Sequence, residues 1–93
     1  MKIEFDPAKR AATLRNRRLD FSDANAVFEG STFTMVDDRA DYGETRWITA
    51  GLLRGRMVVL VWSERGEARR IISMRKANER EAAKYGSRLD RSG

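Results

Sequence analysis

Ninety-three residues, 41% hydrophobic and 35% charged, suffice for one folded domain with one core and are too few for two. Cysteine and histidine are both absent, which excludes disulfides, a thiolate nucleophile, a cysteine zinc site and the commonest general base near neutral pH. The net charge of +5 is uneven: residues 46–93 hold 12 basic and 5 acidic groups, residues 1–45 hold 7 and 9, a balance that fits a polyanionic or acidic partner as well as a solvated arginine-rich surface.

The N-terminus, MKIEFDPAKR, is broken by acids and a proline and so is unlike a signal peptide. No apolar run nears the roughly 18 residues that span a bilayer, and a cytoplasmic protein is expected. Ile3–Phe5 alternates as a short edge strand. Asp6 and Pro7 open a helix to about Arg17, as N-cap and first helical residue. Ser22 caps a second, short helix to about Glu29, with Phe21 stapled against Ala26 and Gly30 as a left-handed stop.

From residue 31 the pattern turns to β. Thr32–Val36 is a strand, Asp37–Gly43 a polar turn, and Glu44–Leu53 a second strand ending in a tight turn at Gly55. Met57–Trp62 is apolar on both faces, as in a central strand. Ser63–Ala68 reads as a hairpin loop of about four to five residues, and Arg69–Met74 returns. Simple alternation puts Ile71, Ser73 and Arg75 on one face and Arg70, Ile72 and Met74 on the other. Asn78 and Glu81 form a capping pair ahead of a helix to about Leu89, with Ala82, Tyr85 and Leu89 on one stripe. The order predicts a single α+β domain over residues 1–93. It is an antiparallel four-stranded meander with two N-terminal helices and one C-terminal helix, packed on one sheet.

Chemistry concentrates in Arg56–Tyr85. Arg65 stands in the turn, Arg69 and Arg70 open the last strand and Arg75 closes it. If the hairpin brings Arg65 and Arg75 together, two guanidiniums clamp one phosphate and stabilise its growing charge, with Glu64 as the base for a ribose 2′-hydroxyl. The competing reading is an ion pair between Glu64 and an arginine, worth little at a surface. Arg46 is a third cation if it faces the hairpin. Tyr85 completes its helix stripe and can present its hydroxyl as acid or phosphate donor. Trp47 and Trp62 fit base stacking or, better for tryptophans inside apolar strands, core packing.

The runs FDPAKRAATLR, LDFSDANAVFEG, GETR, GRMVVLVWSERG, RRIISMRKA and EREAAKY, in this order and spacing, resemble the BrnT toxins of bacterial type II toxin–antitoxin systems. The resemblance implies a RelE-like fold and cleavage of RNA that halts translation; with no histidine or cysteine and an arginine-rich hairpin, a reaction without metal or other cofactor is expected. It also implies control by a BrnA-type antitoxin whose ribbon-helix-helix domain alone contacts operator DNA. The family's charged positions fall on Arg65 and Arg75, extending to Arg46, Glu64, Lys76 and Tyr85. Lys76 and Tyr85 are then candidates to protonate the leaving 5′-oxygen. One departure stands out: where many relatives carry Lys-His-Gly, this chain has Asn16-Arg17-Arg18. The same basic half would also serve a non-catalytic nucleic-acid-binding or co-repressor module.

Overall fold

The computed structural model describes residues 2–92, with side chains described for residues 2–89. In chain order it forms β1 (Lys2–Glu4), α1 (Pro7–Arg17), a 3-10 turn (Phe21–Asp23) running into α2 (Ala24–Glu29), β2 (Thr32–Val36), β3 (Trp47–Leu53), β4 (Arg56–Arg65), β5 (Ala68–Lys76) and α3 (Glu79–Ser92). The fold is mixed α+β. The meander β2 to β5 is present, but the sheet has five strands in the order β1-β5-β4-β3-β2. The fifth is β1, parallel to β5 from Lys2↔Ala68 to Glu4↔Arg70. Parallel pairing needs a long crossover, supplied here by α1 through β4, so three residues of alternation could not announce it.

The helices divide between the two faces, a second correction to the expected layout. Leu19, Phe21, Ala24 and Val27 pack with Leu53, Val58, Leu60, Trp62, Ile71 and Met74 on one face. Tyr85 and Leu89 of α3 pack with Ala50 and Met57, flanked by Phe33, on the other. β4 is therefore covered on both sides, which explains its unbroken apolar run. The two tryptophans belong to the first core: Trp62 donates from Nε1 to Thr49 Oγ1 at 2.8 Å, and the rings of Trp47 and Trp62 lie 6.2 Å apart.

Two local features set which way the arginines point. The β4–β5 connection is only Gly66-Glu67, with Gly66 at φ 60°, as a two-residue primed turn requires. Ser63, Glu64 and Arg65 are thus strand residues, where a longer loop was expected. A bulge in β5 then moves the register from Val61↔Ser73 to Trp62↔Ile71. The extra residue, Ile72, reverses the alternation. Ile71 joins Met74 in the first core, and Arg70 comes to the same face as Ser73 and Arg75.

The helix ends also depart in detail. Asp6 caps α1 as expected, accepting from Ala8 N at 2.9 Å. Asp20, not Ser22, caps the 3-10 turn, accepting from Ser22 N at 2.9 Å. Gly30 is extended, and the left-handed stop is Arg18 at the end of α1, φ 59°.

Candidate active site

β4 alternation places Val59, Val61, Ser63 and Arg65 on the α3 face, and the register adds Arg75, Ser73, Arg70 and Ala68 of β5 beside them. α3 covers only part of this face. Two charged clusters occupy it, one at each end.

At the first, Arg75 lies across from Val59. Its Nη1 and Nη2 donate to the two carboxylate oxygens of Glu81, each at 2.7 Å. Glu81 Oε1 also accepts from Asn78 N at 3.1 Å while Asn78 Oδ1 accepts from Glu81 N at 2.8 Å. The expected capping pair therefore also ties α3 to the sheet. The Arg75 bonds hold the Glu81 carboxyl down at about 2. Arg75 is in turn raised chiefly by Glu81, opposed by the charge of Arg39 and assisted by Tyr85, so both of those groups lie within electrostatic reach of it.

Arg39 comes from the loop after β2. Its Nε and Nη2 donate to Asp37 at 2.7 Å each, and Asp37, whose side chain is 0% exposed, is lowered to about 2, first by Arg39. Tyr85 is buried against Phe33, ring centroids 5.8 Å apart.

At the second cluster, Arg65 ends β4 opposite Ala68. Its Nη2 donates to Glu44 Oε1 at 3.1 Å, and Arg46 Nε donates to Glu44 Oε2 at 3.4 Å. Two guanidiniums share one carboxylate. The Arg46 guanidinium also sits 4.1 Å from the Tyr42 ring centroid. Arg70, paired with Ser63 in the ladder, has Nη1 3.7 Å from Glu4 Oε1.

Arg65 and Arg75 therefore share a face without meeting on one phosphate. Six β4 positions separate Arg65 from Val59, Arg75's ladder partner, roughly 20 Å at strand rise. Arg46 sits with Arg65, and Tyr85 with Arg75. Glu64 is in register with Arg69 on the opposite face of the strand, yet it lines a groove at the strand end with Glu44, Thr45 and Trp47, which brings it near the Arg65 cluster. Lys76 pairs with Val58 and turns away from Arg75. Arg69 is taken up by packing, its guanidinium 3.9 Å from the Phe28 ring centroid. Arg17, at the departure from the Lys-His-Gly run, donates from Nη1 to Met74 O at 3.1 Å and anchors α1 on β5.

Residue reasoning missed Arg39 and Glu44 and read Glu81 only as a cap. The loop DDRADYG contains one arginine among three acids and a tyrosine, a local pairing signal, but which strand face it folds over is a tertiary fact. Among the described residues no helix is long and apolar enough to cross a membrane. Residues 5–81 match the family model described as ribonuclease toxin, BrnT, of type II toxin-antitoxin system. No curated protein matches the chain.

Proposed function

The chain belongs to the BrnT family, ribonuclease toxins of type II toxin–antitoxin systems, and from that premise we propose that RNA is cut at the Arg46–Arg65 end of the α3 face and steadied at its Arg75 end. The observation that carries this is how the guanidiniums are held. Arg39 with Asp37 and Arg75 with Glu81 are each closed in a two-bond fork at 2.7 Å, whereas Arg46 and Arg65 divide the one carboxylate of Glu44 at 3.4 and 3.1 Å. Each spends a single bond there and keeps donors for a phosphate.

In the proposed reaction Glu64 takes the proton of a ribose 2′-hydroxyl, whose oxygen attacks the adjacent phosphorus. Arg65 and Arg46 donate to the non-bridging oxygens and offset the charge that grows there, the work a metal ion does elsewhere. The bond to the 5′-oxygen breaks, and that oxygen takes a proton from water at the open rim, leaving a cyclic phosphate and a free 5′-hydroxyl. Tyr85 and Lys76 are too far from this end to supply the proton. Tyr85, with Arg75 and Arg39, instead holds a phosphate several nucleotides along the same strand. The fold fits a RelE-like sheet with a parallel first strand added. A BrnA-type antitoxin with a ribbon-helix-helix domain is the partner we expect over this face, contacting operator DNA itself, and the cytoplasm is the site of action.

Steady-state cleavage of a labelled RNA by purified protein tests the assignment. Arg65→Ala and Glu64→Gln are expected to lower kcat by about 100-fold or more, and Arg75→Ala to raise KM about tenfold with a smaller change in kcat. Cleavage should persist in a chelator. Wild-type kcat in Arg65→Ala would show the site to be elsewhere.

A further inference from the structure

Ser63 is 1% exposed, and its hydroxyl has no hydrogen-bond partner. A buried hydroxyl left unmade is costly, and a strand as apolar as β4 would hold alanine or valine there at no such cost. The position is not a random one. Ser63 faces the α3 side, directly across from Arg70 in β5. Arg46 immediately precedes β3, whose first pair is Trp47↔Trp62, and so stands beside Ser63 at the end of that ladder. Arg65 follows two residues along its own strand, on the same face. Ser63 thus neighbours, along and across the sheet, the three arginines of that end.

The ion pairs that hold two of those arginines are the longest among the described residues: Arg46–Glu44 at 3.4 Å and Arg70–Glu4 at 3.7 Å. The pairs at the other cluster are both 2.7 Å. Side chains so loosely held can exchange a carboxylate for a phosphate, which accepts from guanidinium at least as well. Once they do, the hydroxyl between them has an acceptor within its reach.

We propose that Ser63 is a phosphate-binding residue of the RNA site, its Oγ–H donating to a non-bridging oxygen once Arg46 and Arg70 leave Glu44 and Glu4 for the RNA. The assignment rests on the placement of the cutting end above, and adds Ser63 and Arg70 to it. Free protein stores an unsatisfied donor, and RNA satisfies it. Ser63 therefore weakens the empty fold and strengthens the complex.

That opposition gives the test. Ser63→Ala is compared with wild type in thermal melting, in binding of a 2′-O-methyl RNA that cannot be cut, and in cleavage of the matching RNA. Arg65→Ala is run alongside. The expected result is a melting temperature equal to or above wild type, binding weakened about tenfold and kcat/KM reduced to match. If Arg65→Ala loses activity while Ser63→Ala binds and cleaves like wild type, this inference alone fails. A melting temperature clearly below wild type also overturns it, because Ser63 would then be a satisfied packing residue. If Arg65→Ala cleaves normally, the cutting end itself is misplaced and both readings fall.

Discussion

At the scale of single residues, the Arg75 end of the candidate site is built from carboxylates that immobilise guanidiniums. Glu81 and Asp37 have folded pKa values of about 2, below their unfolded values near 4. A depressed pKa means that the stabilisation is fully present above the unfolded value and is lost as pH falls toward 2. Acid melts between pH 5 and 2 should therefore show stability falling, and Glu81→Gln should flatten part of that slope while lowering stability at pH 7 by about 1–2 kcal/mol. An unchanged slope in Glu81→Gln would mean that the Arg75 fork is not formed in solution. Arg65 and Arg75 stand out as candidates in the sequence because arginine bordering apolar strands is unusual. Their neighbours were not, because Arg39 reaches Arg75 and Glu44 reaches Arg65 through a loop whose path no local pattern encodes.

At the scale of elements, one inserted residue decides more than any propensity. Strand β5 is readable as a strand from its composition, yet its faces are assigned wrongly by strict alternation, because the bulge at Ile72 reverses them beyond Ser73. The turn before it is equally consequential. Gly66-Glu67 is short enough to make Glu64 and Arg65 strand neighbours on opposite faces, where a longer loop would have left both free. Gly66→Ala should cost about 1 kcal/mol or more, since alanine is strained at φ 60°, and chemical denaturation will register it.

On the other face Gly51 lets α2 approach β3, and a Cβ there would lie 2.7 Å from Val27 Cγ1. Val27 is fully buried and has nowhere to go. Gly51→Ala is expected to destabilise by about 1–3 kcal/mol without changing kcat of the folded fraction; wild-type stability would show that α2 yields easily. The sequence marks Gly51 only as a weak spot in a strand, since the helix that presses on it lies more than twenty positions upstream.

At the scale of the molecule, the two charged clusters stand roughly 20 Å apart, so the proposed site would hold RNA extended along the α3 face. Removing one contacting cation should reduce the slope of log binding constant against log salt by about 0.7 for a single strand. Arg65→Ala and Arg75→Ala should each show that loss, and the double variant about twice it; a double variant no different from either single would mean the clusters never touch one strand together. The overall α+β plan, the meander and the basic half were all visible in the residues. The division of the helices between two faces was not, because β4 is apolar on both sides and so offers α3 either one.

The parallel pairing of β1 with β5 has a consequence for how the protein comes into being. Lys2 meets Ala68 and Glu4 meets Arg70, so β1 waits for a strand more than sixty positions downstream before the sheet can close, and contacts of such long range form slowly. A chain emerging from a ribosome, itself an assembly of RNA, thus passes most of its synthesis with its α3 face unassembled. Chains arrested before residue 68 should be protease-sensitive throughout and should not cleave RNA, while release of the full chain switches both properties together. One short strand thus ties closure of the sheet to the arrival of β5.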